Sequence, residues 1–306
     1  MSLSEIGYNI SRKMQLGKMY FCSKFNAMEF SAYTFTTSSL QGRIDTIVDV
    51  SVSSDQLKSV LSQLFGFIDL TSLEATDNEK TIDSFCKRAL IYQKAGHAVA
   101  ALCIYSPFVK QVKKALEGSG ISVATVVCGF PTGQMPLNLK LDEVQFAVDS
   151  GADEVDMVIS RGKFLQGDFQ EVLEEIKAVK AKCGKADLKV ILETGELKTV
   201  ANIRKASELA LLGGADFLKT STGKVKPAAT LEAAVVMLDT IKEFYDKTGK
   251  KVGLKPAGGI ADPLDAYHYM QLVKTILGDE WLQKSLFRIG ASRLADKVLE
   301  QLQDSF

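Results

Sequence analysis

Two lysines stand at the ends of otherwise apolar stretches: Lys219 in Ala215-Asp-Phe-Leu-Lys-Thr-Ser-Thr-Gly-Lys224, and Lys255 in Val252-Gly-Leu-Lys-Pro-Ala-Gly-Gly259. An ammonium is costly to bury, so such a setting favours the neutral amine, which can attack a carbonyl and form a Schiff base. A free lysine of pKa ~10.4 is neutral in about one molecule in 2,500 at pH 7, and a pKa of ~7 requires destabilising its charged form by about 4.6 kcal/mol. A second ammonium ~6 Å away, at an effective dielectric of ~20, supplies about 2.8 kcal/mol of repulsion. Desolvation by the apolar residues supplies the rest. The pair therefore suffices for imine chemistry without a metal, and the physics leaves open which lysine is the nucleophile.

Other chemistry-bearing residues fall at comparable places. The ends of the apolar stretches carry Asp69 and Thr71, Cys103, Asp156, Lys189 and Glu193, and finally Gly290 with Ser292. In Glu154-Val-Asp-Met-Val-Ile159, a strand that packs Val155, Met157 and Ile159 under helices turns Asp156 the other way. Lys219 lies two residues beyond Phe217, and Lys255 two beyond Gly253, whose lack of a side chain leaves interior room. A purely structural charge network is the alternative reading of these residues. A second constellation suits an anion: Thr222-Gly223-Lys224, Gly258-Gly259, and Gly290-Ala-Ser292 opening the last helix. Glycines let backbone N–H groups approach a phosphate, and a helix N-terminus adds partial positive charge. Each glycine taken alone is equally a turn residue.

The elements that must position these residues alternate regularly. Strands are predicted at 65–70, 98–105, 122–127, 154–159, 188–193, 215–219, 252–255 and 286–290. Helices are predicted at 55–64, 78–94, 141–150, 169–183, 200–212, 230–245 and 293–303, with another starting at Pro107. Near-continuous apolar strands read as parallel strands covered by helices. Eight of them, with no GxGxxG after the first, favour a (β/α)8 TIM barrel over a doubly wound sheet, and place the site at the carboxyl ends of the strands. The boundaries read as an N-terminal extension over 1–50 and the barrel over 51–306. Residues 1–50 are Ser-rich and poor in acids; a transit peptide is one reading, and an appendage packing on the barrel is the one adopted.

Lys+Arg and Asp+Glu balance at 37 each, so no overall field draws the chain to nucleic acid or membrane. No apolar run reaches the length of a membrane span. Five cysteines, widely spaced and without CxxC, fit buried thiols in a reducing, cytoplasmic protein. With His97 and His268 far apart, no histidine-built metal site is expected.

Over residues 65 to 295 the chain resembles the 2-deoxyribose-5-phosphate aldolase family, class I aldolases of the (β/α)8 type. The carriers are Asp69-Leu-Thr-Ser-Leu73, Ala101-Leu-Cys-Ile-Tyr105, Gly151-Ala-Asp-Glu-Val-Asp-Met-Val158, Leu188-Lys-Val-Ile-Leu-Glu-Thr-Gly-Glu-Leu197, the two lysine stretches, and Arg288-Ile-Gly-Ala-Ser292. The resemblance implies reversible cleavage of 2-deoxy-D-ribose 5-phosphate to D-glyceraldehyde 3-phosphate and acetaldehyde, in deoxynucleoside breakdown, by a homodimer without metal or organic cofactor. It implies that Lys219 forms the Schiff base, that Lys255 depresses its pKa, and that Asp156 with a water relays protons. Gly223, Lys224, Gly258, Gly259 and Ser292 match the family's phosphate site; Asp69, Thr71, Cys103, Lys189 and Thr222 match residues lining its mouth. The chain departs from the family pattern at Ala261, where many relatives carry an arginine, and at Arg293, where a small hydroxyl residue is common. Its end at Phe306 and the segment 1–50 also differ. A transaldolase or ketone-donor aldolase, told apart by donor choice, and a catalytically silent sugar-phosphate binder, told apart by turnover, are the rival readings.

Overall fold

A computed structural model of the chain describes residues 28–48 and 54–304, and from Thr34 onward the chain forms one compact unit. The transit-peptide reading, and the stretch that joins the expected extension to the barrel, fall largely outside the described residues. Among the described residues eight strands are present: β1 Ile68–Thr71, β2 Ala101–Tyr105, β3 Ser122–Val127, β4 Glu154–Val158, β5 Asp187–Ile191, β6 Phe217–Lys219, β7 Gly253–Lys255 and β8 Ile289–Ala291. They pair in parallel in the order β7-β6-β5-β4-β3-β2-β1-β8. Between β8 and β7 the sheet closes through two parallel bridges, Leu254 to Phe287 and Ala257 to Gly290. The architecture is the expected (β/α)8 barrel.

Local sequence explains the boundaries. Asn78 caps the helix Glu79–Lys94 by accepting from Lys80 N and Thr81 N, while Thr81 returns a bond to the Asn78 backbone. Thr199 and Thr230 cap Val200–Leu212 and Leu231–Thr248 in the simpler way. The helix after β3 begins at Leu137, four residues earlier than predicted, because Pro136 immediately precedes its first turn; Leu137 and Leu139 are exposed, so the apolar stripe misses that turn. Strand β1 begins later than predicted because Phe65 belongs to the helix Ser54–Phe65. Besides the short helices Arg161–Leu165 and Thr194–Leu197, two longer ones escaped the pattern reading: Pro263–Leu277, signalled by Asp262 as cap and Pro263 at its start, and Thr37–Val48. The latter buries Leu40, Ile44 and Ile47, and Arg43 pairs with Asp239 at 2.7 Å.

The interior is divided. On the β2–β3 side it is apolar, with Leu73, Ala101, Cys103, Ala124 and Val126 packed together and Tyr105 and Phe130 against them. On the other side it is charged, and two of its cations lie near the Phe217 ring, Lys189 Nζ at 5.9 Å and the Arg288 guanidinium carbon at 5.8 Å from its centre. The room that Gly253 leaves is taken by this ring, since a Cβ there would sit 2.3 Å from Phe217 Cε1.

Candidate active site

Strand parity places the reacting groups. On β4, Glu154 and Asp156 share the inner face. In register, Asp156 lies beside Lys189 of β5, and Lys219 of β6 beside Lys255 of β7. All five side chains are buried. Asp156 collects three lysines. Its Oδ1 accepts from Lys189 Nζ at 2.8 Å, and its Oδ2 accepts from Lys219 Nζ at 2.7 Å and Lys255 Nζ at 2.6 Å. Lys255 Nζ also lies 2.6 Å from Asp69 Oδ2, and Lys189 Nζ 2.5 Å from Glu154 Oε2. Arg288, just ahead of β8, donates to Asp69 Oδ1 and to Glu154 Oε1, each at 2.6 Å.

These contacts separate the lysines. Burial lowers the Lys219 pKa; Asp156 opposes that shift and Lys255 assists it, and the result lies below the ordinary value. Burial also works against the charged form of Lys255, but Asp156 and Asp69 outweigh it and hold its pKa above the ordinary value. Lys189 is likewise raised, against burial, by Asp156 and Glu154. Burial alone would raise the Asp156 carboxyl, yet Lys189, Lys219 and Lys255 keep it well below the usual carboxylate range. Of the three lysines gathered on Asp156, Lys219 gives up its proton most readily.

Above this cluster opens a cavity of about 190 Å³. Thr71, Lys219, Thr222, Gly223 and Lys224 line it, with Gly258, Gly259, Gly290 and Ser292 on the facing loops. Ala261 and Arg293 border it too. Asp69, Cys103, Asp156, Lys189 and Lys255 lie beneath it rather than at the mouth, and burial raises the Cys103 thiol pKa. The loops after β6 and β7 meet at glycines: Gly258 has φ +87°, and a Cβ there would come within 2.8 Å of Gly223 Cα. Lys224 Nζ donates to Leu73 O at 2.6 Å and lies 3.6 Å from Glu74.

Three contributors were not picked out from the sequence as site residues. Glu154 and Arg288 complete the charge cluster from below; both stand in strand-like stretches, where a charge was the available signal. Glu193 ends an apolar stretch, and the sequence assigns it no role. It adopts a left-handed φ of 57°, accepts from Thr222 Oγ1 at 2.5 Å and Thr222 N at 3.2 Å, and pairs with Arg161 at 3.0 Å. That clamp fixes the β6 loop, because Thr222 Oγ1 in turn accepts from Lys224 N at 3.1 Å. Among the described residues, no group of three or more His, Cys, Asp or Glu is placed to hold a metal ion.

Comparison with known proteins adds an independent line. A model of the DeoC/LacD family aldolases matches residues 67–275. The chain is 44% identical over 249 residues to deoxyribose-phosphate aldolase of Homo sapiens, covering 77% of this chain and 78% of that one. It is 46% identical over 237 residues to deoxyribose-phosphate aldolase of Agrobacterium fabrum, covering 77% and 88%. Among solved structures, the aldolase QR15 superposes with a TM-score of 0.62 at 28% identity, covering 78% of this chain and 96% of that one. The tetrameric deoxyribose phosphate aldolase of Aeropyrum pernix superposes with a TM-score of 0.63 at 24% identity, covering 83% and 100%, which speaks to the fold alone.

Proposed function

The chain belongs to the DeoC/LacD aldolase family, and from that premise we infer a class I aldolase that reversibly cleaves 2-deoxy-D-ribose 5-phosphate to D-glyceraldehyde 3-phosphate and acetaldehyde. Lys219 Nζ, as the neutral amine, attacks the C1 aldehyde; loss of water leaves a protonated imine. Proton loss from the C3 hydroxyl lets the C2–C3 bond break, and its electron pair moves into the imine as an enamine. Glyceraldehyde 3-phosphate departs, C2 takes up a proton, and water returns acetaldehyde and the free amine. The iminium carries its charge where the ammonium did, so the Asp156 carboxylate that accepts from Lys219 at 2.7 Å stabilises it without rearrangement. Asp156, with a water, is the proton relay we assign. Lys255 stays charged.

The observation that carries this assignment is the difference in partners: Lys255 bridges two carboxylates, whereas Lys219 touches a single carboxylate oxygen that Lys255 also holds. Borohydride reduction with acetaldehyde, followed by peptide mass mapping, should place the adduct on Lys219. An adduct on Lys255 alone would invert the roles. The phosphate would sit in the cavity at Thr222, Gly223, Lys224, Gly258, Gly259, Gly290 and Ser292, with Thr71 at its edge. Lys224 faces Glu74, so we assign to exposed Arg293 the additional cation that a dianion calls for in the absence of an arginine at Ala261. Arg293→Ala should raise KM for the phosphorylated sugar about tenfold and leave KM for deoxyribose unchanged; equal, unmoved constants would remove Arg293 from the site.

Two further assignments concern assembly and location. A homodimer follows from the resemblance, and sedimentation showing a monomer would end it. A cytoplasmic location is supported by Cys86, Cys103, Cys128 and Cys183 being free, buried thiols, and by the absence of any helix long and apolar enough to cross a membrane among the described residues. Cell fractionation tests it. Residues 1–50 as an appendage and 51–306 as the barrel remain our division of the chain.

A further inference from the structure

The contacts beneath the cavity close on themselves. Asp69 meets Arg288, Arg288 meets Glu154, Glu154 meets Lys189, Lys189 meets Asp156, Asp156 meets Lys255, and Lys255 returns to Asp69, every step between 2.5 and 2.8 Å. The result is a ring of alternating sign, with three carboxylates each bridged by two cations. Lys219 stands outside it, attached at Asp156 Oδ2 alone. Arg288 and Glu154 do not border the cavity, and they connect to Lys219 only through the other members of the ring.

We propose that Arg288 and Glu154 are positioning residues that act through charge balance: by completing a neutral ring of buried charges, they leave Lys219 as the surplus cation and so fix which lysine is deprotonated. Burial penalises any net charge in the cluster. With the ring complete, the deprotonation that restores neutrality at least cost is that of Lys219, since taking a proton from Lys189 or Lys255 would remove one of the two ring cations from two carboxylates at once. The groups facing Lys219 are Asp156, Lys255 and Cys103, with Lys189, Asp69, Glu154 and Arg288 behind them; Cys103 stays a neutral thiol because burial raises its pKa. The lowered Lys219 and raised Lys189 and Lys255 pKa values follow the same order.

This inference rests on the assignment of Lys219 as the imine-forming residue, and it has a signature that mere structural support would not give. Loss of one ring cation makes the Lys219 proton necessary for balance; loss of one ring anion makes it more unwelcome. Arg288→Met should therefore move the acid limb of kcat/KM upward and Glu154→Gln should move it downward. Each shift should be about one pH unit, as a unit charge ~10 Å away at an effective dielectric of ~20 supplies. The double variant should return the limb close to its original place, and Arg288→Lys should retain it. Below the limb, Arg288→Met should trap acetaldehyde under borohydride about tenfold more slowly, recovering at higher pH. Limbs that stay put, or that move the same way in both variants, would overturn the inference while leaving Lys219 as the trapped residue. An adduct on another lysine in the unaltered protein would instead overturn the assignment on which it rests. Should the single variants not fold, competitive labelling of the native protein across pH decides the same point. Lys219 is expected to react first among the buried lysines, and earlier reaction of Lys189 or Lys255 would refute the proposal.

Discussion

Lys219 and Lys255 are paired in register on neighbouring strands and donate to the same oxygen, yet their proton affinities move in opposite directions. Repulsion between two ammoniums, which the sequence alone suggests, is only part of the cause. Burial is the larger influence on Lys219, and Asp156 opposes both burial and repulsion. The second lysine acts in two ways: it repels the Lys219 proton directly, and it occupies the carboxylate that would otherwise hold that proton. Lys255→Met should thus leave Asp156 Oδ2 to Lys219, with Lys189 still on Oδ1, raise the Lys219 pKa, and lower kcat by about 10²–10⁴-fold at neutral pH, in the range set by losing a tuned acid/base group. The pH–rate profile checks the sign, since partial recovery at alkaline pH is expected and a uniformly depressed profile would contradict it.

The phosphate-facing loops depend on contacts between elements. The loop after β6 is held from below by Glu193, two residues past β5, and from the side by the loop after β7 at Gly258. Gly258→Ala would add a methyl 2.8 Å from Gly223 Cα and 2.7 Å from Ala228 Cβ, at a positive φ that side chains avoid. Backbone cannot give way as a flexible side chain does, so the two loops must separate. KM for the phosphorylated substrate should rise at least tenfold, with acetaldehyde trapping at Lys219 retained. A KM that does not move would show that the loops tolerate separation.

Across the whole molecule, the buried charge cluster ties stability to pH. Burial would raise the Asp69 and Asp156 carboxyls, but their lysine and arginine partners outweigh it and hold both well below their ordinary value. A carboxyl whose folded pKa is depressed contributes stability above its unfolded value of ~3.9 and loses that contribution as pH falls through the folded value. The melting temperature should therefore be nearly level from pH 7 to 5 and fall steeply below about pH 4. A level melting temperature down to pH 3 would mean that the cluster does not titrate with unfolding.

The amino-acid sequence by itself determined the alternation of strands and helices, the parity that turns Asp156, Lys219 and Lys255 inward, and the glycine-bearing loops around the mouth. These are local properties, set by apolar periodicity, caps and turn residues within a few positions of one another. The tertiary structure alone decided how the charges pair, because pairing depends on registers between strands far apart in the chain: Asp156 is brought to Lys255, 99 residues on, and Arg288 to Asp69, 219 residues away. It also filled the space at Gly253 with the Phe217 ring and gave Glu193 its hold on Thr222. A charge in an apolar stretch announces that a partner exists; only the closing of the barrel, by joining its first strand to its last, says which one.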